Sequence, residues 1–126
     1  MNSWTFFDFF NERGENEIHR WLNGGMPKMA KAKINGRIAA LQGFPLFPEQ
    51  YISAYNGWPG LLELRIVSGG VQYRPFGFYG PRRGQFSLLV GGTEKGKVPR
   101  ATLEVADERR SVVINNPSRV REHDFS

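Results

Sequence analysis

A chain of 126 residues is long enough to bury the core of one domain and too short for two independent domains. It has no cysteine, which excludes disulfide bonds, thiolate catalysis and cysteine-ligated zinc. Its 17 lysines and arginines outnumber its 12 acidic residues, so the formal net charge is +5 and a polyanionic partner is favoured. The same charge suits a protein that is merely soluble, so charge alone leaves both interpretations open.

The first half of the chain predicts one strand followed by two helices. Residues 4–10 (WTFFDFF) form a short aromatic run, which favours a strand. Residues 12–22 have apolar side chains at helical spacing and acidic residues near their start. A second helix is predicted over residues 27–42, with a proline at its first turn and a glycine after its end. Residues 44–60 are rich in proline and aromatic residues and predict an ordered loop.

The second half predicts a three-stranded antiparallel meander and a third helix. The strands are expected at residues 62–67, 71–78 and 86–90, separated by short glycine-containing turns. The third helix is predicted over residues 99–113, and residues 117–126 are polar and predict a mobile tail. The expected fold class is α+β: an antiparallel sheet of about four strands, packed by two N-terminal helices and a C-terminal helix.

Basic residues lie inside or just beyond the strands of this meander: Arg65, Arg74, Lys95 and Lys97. Guanidinium groups bind phosphate oxygens in a bidentate manner, so this placement is the main functional indication. Structural roles are equally open for several of them. Arg65 follows Glu63 on the same strand face and can take part in a cross-strand salt bridge. Lys95 and Lys97 lie in a glycine-rich turn, where they can be solvated loop charges.

Three residues near the predicted hairpin tip are further candidates for RNA contact. Arg82 and Arg83 lie in a glycine-rich turn, where contact with phosphate and a role in a soluble turn are both open. The ring of Tyr79 can stack on a base or fill the core.

The order of elements and three local motifs resemble the RelE and ParE superfamily of small bacterial toxins. More narrowly, they resemble its phage-derived, HigB-like RelE branch. The motifs are LELRI at residues 62–66, YRPF at residues 73–76, and FSLLV at residues 86–90 running into EKGK at residues 94–97. The resemblance covers nearly the whole chain by element order and about half of it by motif. It implies a single RelE-like domain over residues 1–126.

The resemblance implies the toxin of a type II toxin–antitoxin system, an mRNA interferase that cleaves mRNA without a metal or cofactor, in some members on the ribosome. The substrate's 2′-hydroxyl attacks the adjacent phosphate, and the protein assists proton transfer and stabilises the developing charge. By position, Arg65 and Arg74 would bind the phosphate. Lys95 would stabilise charge or transfer a proton, and His123 would act as general acid or base with Asp124 orienting it. The implied RNA-contacting residues are Lys97, Arg82, Arg83 and Tyr79.

The resemblance also implies a cognate antitoxin protein encoded nearby. The chain lacks an apolar run of the roughly 20 residues that a membrane span needs and lacks a recognisable leader, so we expect a cytoplasmic protein without a membrane partner. The two histidines have no companions at ligand spacing, and no metal site is expected.

Two alternatives stay open at this point. One is a ParE-like protein that inhibits a partner such as gyrase by contact, without cutting RNA. The other is a phage accessory protein that keeps only the fold. Pro75 departs from the expected pattern, because a proline directly after Arg74 removes a backbone donor from the strand and predicts an edge, a bulge or a bend there.

Overall fold

The computed structural model describes residues 3–93 and 97–126. Its helices are α1 (Glu17–Leu22), α2 (Lys28–Leu41) and α3 (Arg100–Asn115). Its strands are β1 (Thr5–Phe9), β2 (Ile52–Ala54), β3 (Leu62–Leu64), β4 (Ile66–Ser68), β5 (Val71–Tyr73), β6 (Phe76–Tyr79), β7 (Gln85–Val90) and β8 (Val120–Glu122). A short 3-10 turn, Pro117–Arg119, joins α3 to β8.

Six strands form one mixed sheet in the order β2, β3, β6, β7, β1, β8, and β4 pairs with β5 in a second, two-stranded sheet. Every neighbouring pair is antiparallel except β1 and β7, which run parallel. The predicted α+β class is therefore confirmed. The sheet is wider than the predicted four strands, because β2 lies in the segment predicted as a loop and β8 in the segment predicted as a tail.

Helices cover both faces of the sheet. Consecutive strand residues point to opposite sides, so the sheet has two apolar faces, and each is buried by helices. Helices α1 and α2 pack on the face that carries Phe6, Leu64 and Phe86. Helix α3 packs on the face that carries Phe9 and Phe76. The described helices include none that is long and apolar enough to cross a membrane.

The first helix begins later than its periodicity predicts. The side-chain oxygen of Asn16 accepts hydrogen bonds from the backbone N–H groups of Ile18 and His19, which caps the helix and sets its start at Glu17. The second helix agrees with the prediction to within one residue at each end. The third helix extends two residues beyond the predicted end, to Asn115.

Residues 117–126, predicted as a mobile tail, contain a 3-10 turn and strand β8 in the structure. Strand β8 pairs antiparallel with β1, with Arg121 opposite Asp8. Beyond the strand, the backbone N–H of His123 donates to the carbonyl of Phe6 at 2.8 Å, and His123 is only 7% exposed. The polar residues of this segment are ordered because distant parts of the chain satisfy their hydrogen bonds.

The first two strands of the predicted meander are each interrupted once, and the interruptions lie side by side. Arg65 separates β3 from β4, and Arg74 with Pro75 separates β5 from β6. The backbone of Arg74 exchanges hydrogen bonds of 2.7 and 3.1 Å with Gly92, and the β6–β7 register shifts after Phe76. The irregularity predicted at Pro75 is therefore confirmed. The remaining strands β3, β6 and β7 pair antiparallel as expected.

Candidate nucleic-acid interface

The buried carboxylate of Glu63 brings two of the predicted site residues together. Nη1 of Arg65 lies 3.3 Å from Oε1 of Glu63, and Nε of Arg74 lies 3.7 Å from Oε2. The side chain of Glu63 is 8% exposed, against 19% for Arg74 and 38% for Arg65. Two guanidinium groups and one carboxylate leave a net positive charge at a partly accessible point. We call these three residues the Glu63 cluster.

The interrupted hairpin explains why the cluster forms. Glu63 pairs with Phe76 in the β3–β6 register, so the residues just beyond this pair on each strand lie at the same end of the hairpin. Arg65 follows β3 there and Arg74 precedes β6. This local geometry brings Arg65 and Arg74 to the same carboxylate.

A third arginine lies beside the cluster. Nη1 of Arg37, on α2, donates to the carbonyl oxygen of Arg65 at 3.1 Å, and its guanidinium lies 4.0 Å above the centre of the Tyr51 ring. Nη2 of Arg65 donates to the carbonyl of Glu49 at 2.7 Å. These contacts hold the Arg65 backbone and side chain in place. Arg37 lies outside the buried stripe of α2, and helical spacing gives no sign of this contact.

Tyr79 fits both roles considered for it. Its ring stacks on Phe47 at 5.8 Å and contacts Trp4 and Phe86 at 5.1 and 5.4 Å, yet the residue is 48% exposed. Partial burial raises the pKa of the Tyr79 hydroxyl. One side of the ring belongs to an aromatic cluster, and the remainder faces solvent near the exposed residues Arg82 and Arg83.

Lys97 lies in a different basic region, at the start of α3. It is exposed and lines a cleft of about 330 Å³. The lining residues are Tyr55, Asn56, Trp58, Lys97, Val98, Arg100 and Leu103. We call this the Trp58 cleft. Lys95, predicted to act in catalysis, lies outside the described residues.

The structure does not bring His123 to the two arginines. His123 follows β8, and β8 is four positions from β3 in the sheet, or roughly 19 Å at about 4.8 Å per strand. Nδ1 of His123 lies 2.7 Å from Oδ1 of Asp8, and Nε2 lies 2.8 Å from Oδ1 of Asn35. Asp8, rather than the expected Asp124, therefore orients the imidazole.

Asp124 has other contacts. Its carboxylate accepts a hydrogen bond of 2.8 Å from the backbone of Ser126 and lies 3.8 Å from Nε2 of His19. Hydrogen bonds from the Ser126 side chain and backbone lower the pKa of Asp124. His19 is partly exposed on α1.

No protein-family model matches the chain, and no curated protein matches it. Its structure is similar to that of the toxin RelE from E. coli, determined for a variant with two arginines replaced by alanine, in the free state. The TM-score is 0.54 at 13% sequence identity, and the match covers 87% of this chain and 98% of that one. The chain therefore has a RelE-like fold.

Proposed function

We propose that the chain is the toxin of a type II toxin–antitoxin system and acts as an mRNA interferase. The Glu63 cluster carries the proposal, because it presents two convergent guanidinium groups on a fold shared with a bacterial toxin. A phosphate in the RNA backbone is the ligand that such a pair fits best, since each guanidinium offers parallel donors to two oxygens. The narrower assignment to the phage-derived branch stays a prediction.

The reaction is an attack of the ribose 2′-oxygen on the adjacent phosphorus. A bond forms between the 2′-oxygen and phosphorus, and the bond from phosphorus to the 5′-oxygen breaks. The products are a 2′,3′-cyclic phosphate and a 5′-hydroxyl end. Arg65 and Arg74 stabilise the extra negative charge of the phosphorane, which is the largest contribution that fixed donors make to such a reaction.

The 2′-hydroxyl proton needs an acceptor, and Glu63 is the carboxylate that contacts both arginines. When the substrate phosphate draws the guanidinium groups to itself, the Glu63 carboxylate oxygens lose these partners and can accept a hydrogen bond from the 2′-hydroxyl. We therefore assign proton acceptance to Glu63. Lys95, predicted to stabilise charge or to transfer a proton, is proposed here as the proton donor to the departing 5′-oxygen.

The remaining predicted residues divide by position. Lys97 and the trio of Tyr79, Arg82 and Arg83 are proposed to bind the RNA on either side of the cut. His123 is assigned a structural role, since its ring is enclosed by Asp8 and Asn35. A cognate antitoxin encoded nearby would cover the basic face, and the ribosome is a proposed platform for cleavage.

A contact inhibitor of a protein partner such as gyrase is the competing function. The observation that favours it is that Arg65 and Arg74 already have a carboxylate partner, an arrangement that also suits a purely structural role. A phage accessory protein would show the same pairing.

Expression in bacteria followed by primer extension on cellular mRNA separates these functions. We expect growth arrest together with cuts inside translated codons, and we expect Arg74→Ala to abolish both. Arg13→Ala is the control for the loss of one positive charge, because Arg13 is 79% exposed and its carboxylate partner is Glu15 rather than Glu63. Growth arrest with intact mRNA and inhibited gyrase would overturn the nuclease assignment.

A further inference from the structure

The Trp58 cleft has an apolar floor, aromatic walls and a basic rim. Val98 and Leu103 form the floor and are 2% and 4% exposed. The partly buried rings of Tyr55 and Trp58 form the walls. At about 330 Å³, the cleft is at the small end of the range of roughly 300–1,000 Å³ for ligand sites. This size suits one planar group better than an extended ligand.

Both cations at the rim are accessible. Lys97 is exposed and forms no ion pair with the described part of the chain. The side chain of Arg100 is 81% exposed, and its guanidinium lies 5.5 Å from the centre of the Trp58 ring. Its carboxylate partner, Glu104, is one helical turn away at 3.0 Å and is itself 59% exposed, so the pair is weak and easily exchanged. An anionic ligand can therefore bind Lys97 and Arg100 without breaking a strong ion pair.

The loop that carries Trp58 is held in place from several sides. The N–H of Trp58 donates to the carbonyl of Tyr55 at 3.2 Å, and the N–H of Leu61 donates to the carbonyl of Trp58 at 3.1 Å. Nη1 of Arg110, on α3, donates to the carbonyl of Pro59 at 2.5 Å. A wall fixed in this way loses little conformational entropy when a flat ring stacks on it.

The cleft is adjacent to the Glu63 cluster. The ring of Tyr55 meets the ring of Phe76 edge to face at 5.5 Å. Phe76 is the register partner of Glu63 and comes two residues after Arg74. An RNA strand with one phosphate at the two arginines would therefore pass a flanking nucleotide towards Trp58.

We propose that the Trp58 cleft binds one unpaired nucleotide of single-stranded RNA, with its base stacked on Trp58 and its phosphate held by Lys97 and Arg100. Arg100 now lies over the ring face that a base would take, and its long exposed side chain moves from that face to the phosphate. The combination of an aromatic platform with basic side chains is the usual solution for unpaired RNA. An acidic peptide would use the cations and leave the aromatic wall without a role.

Because this proposal rests on the proposed action on RNA, the test separates binding from cleavage. A fluorescein-labelled RNA oligomer with 2′-O-methyl groups throughout has no free 2′-hydroxyl and cannot be cut by the proposed reaction. Its affinity for the full chain is measured by fluorescence anisotropy. The variants are Trp58→Phe, Trp58→Leu, Lys97→Ala and Arg100→Ala. Arg13→Ala is the control for Arg100→Ala, since the two arginines are 79% and 81% exposed and each lies 3.0 Å from a carboxylate.

We expect Trp58→Leu to weaken binding about tenfold or more, while Trp58→Phe retains most of the affinity, since a phenyl ring still stacks. Lys97→Ala and Arg100→Ala should each reduce the slope of log affinity against log salt by about 0.7, the contribution of one phosphate contact to a single strand. Arg13→Ala should leave affinity unchanged.

Three outcomes overturn the inference. If wild type, Trp58→Leu and Arg100→Ala bind the oligomer with equal affinity, Trp58 only covers the core. Cleavage of mRNA by the same wild type would then still support the proposed function. If the wild type does not bind the oligomer, the inference is wrong whether or not mRNA is cut. If the wild type neither binds the oligomer nor cleaves mRNA, the proposed function is wrong as well. If Trp58→Leu unfolds, as judged by circular dichroism, the exposed Lys97 and Arg100 variants decide, and unchanged affinity and salt slope in both contradict the inference.

Discussion

Nδ1 of His123 lies 2.7 Å from Oδ1 of Asp8, and both side chains are fully excluded from solvent. The other ring nitrogen, Nε2, faces Oδ1 of Asn35 at 2.8 Å. The amide of Asn35 is oriented by its own donation to the carbonyl of Phe125 at 3.2 Å. Both ring nitrogens of His123 therefore have a polar side-chain partner, and the imidazole is held in place from two sides.

This pair fixes the carboxyl-terminal segment to the rest of the molecule. Oδ2 of Asp8 accepts from the side chain of Asn16 at 2.9 Å and from the backbone of Asp124 at 3.0 Å. One buried carboxylate thus connects the start of α1, the end of β8 and strand β1. Removing either side chain leaves polar atoms of the other buried without this partner, which is costly.

His123→Ala and Asp8→Asn should therefore each lower the free energy of unfolding by about 1–3 kcal/mol. Urea denaturation followed by circular dichroism measures the change. Glu122→Gln is the control, because Glu122 is exposed on the same strand, and it should change stability by less than about 0.5 kcal/mol. Equal stability of His123→Ala and Glu122→Gln would refute the structural role assigned to His123.

The enclosure of the His123 ring can be observed directly. In a nitrogen-15 NMR spectrum, we expect a ring N–H of His123 to be protected from exchange with solvent, because the ring is buried between Asp8 and Asn35. Partly exposed His19 serves as the internal comparison. Exchange of the His123 ring proton as fast as that of His19 would contradict the burial of the ring.

Glu63→Gln tests the assignment of the proton acceptor. The amide keeps the size of the side chain and can still accept a hydrogen bond from Arg65, but it cannot take a proton. We expect mRNA cleavage to fall about 100-fold or more, within the usual range for loss of a general base. Binding of the 2′-O-methyl oligomer should persist, which distinguishes loss of chemistry from loss of the site. Cleavage at the wild-type rate would limit Glu63 to holding the arginines in position.

The carboxyl group of Glu17 makes the free energy of unfolding depend on pH in the acidic range. Burial opposes ionisation of its carboxyl, but the hydrogen bond from Arg20 and the charge of Arg109 outweigh it, so the pKa of Glu17 is lowered. The distances are 2.7 Å to Nη1 of Arg20 and 2.8 Å to Nη2 of Arg109. Since the pKa is lower in the folded chain than in the unfolded one, Glu17 stabilises the fold above the ordinary value near 4.5, and this contribution is lost as pH falls through the folded pKa.

The measurement compares wild type with Glu17→Gln by thermal unfolding between pH 7 and pH 3. The wild type should be the more stable protein at pH 7, and the difference should shrink as the pH falls below about 4.5. A difference that stays constant over this range would show that Glu17 acts through packing and hydrogen bonds alone.

The sequence predicts well those elements that carry a strong local pattern. Helix α2 has an apolar stripe bounded by Pro27 and Gly43, and β1 is a compact aromatic run, so both were located closely. The strands that escaped prediction, β2 and β8, have three residues each and lie at the two edges of the sheet. So short a strand shows no alternation, and its existence depends on a partner strand that local sequence does not specify.

Within the site, too, contacts between nearby residues are easier to predict than contacts between distant ones. A hairpin brings Arg65 and Arg74 together, and their short separation in the sequence indicates this proximity. Glu63 is visible in the sequence as a salt-bridge partner for Arg65, but its contact with Arg74 depends on the register between β3 and β6. His123 was misplaced because its partner Asp8 is 115 residues away, and only the pairing of β8 with β1 makes that contact.

Mapping of 5′-hydroxyl RNA ends in cells that express the chain tests the central claim most directly, because attack by the 2′-oxygen leaves a hydroxyl on the downstream fragment. We predict new 5′-hydroxyl ends inside translated codons with the wild type and with Arg13→Ala, and their disappearance with Arg65→Ala and Arg74→Ala, all at equal protein levels. Growth arrest without new 5′-hydroxyl ends, or undiminished ends with both arginine variants, would contradict the assignment of the Glu63 cluster as the site of RNA cleavage.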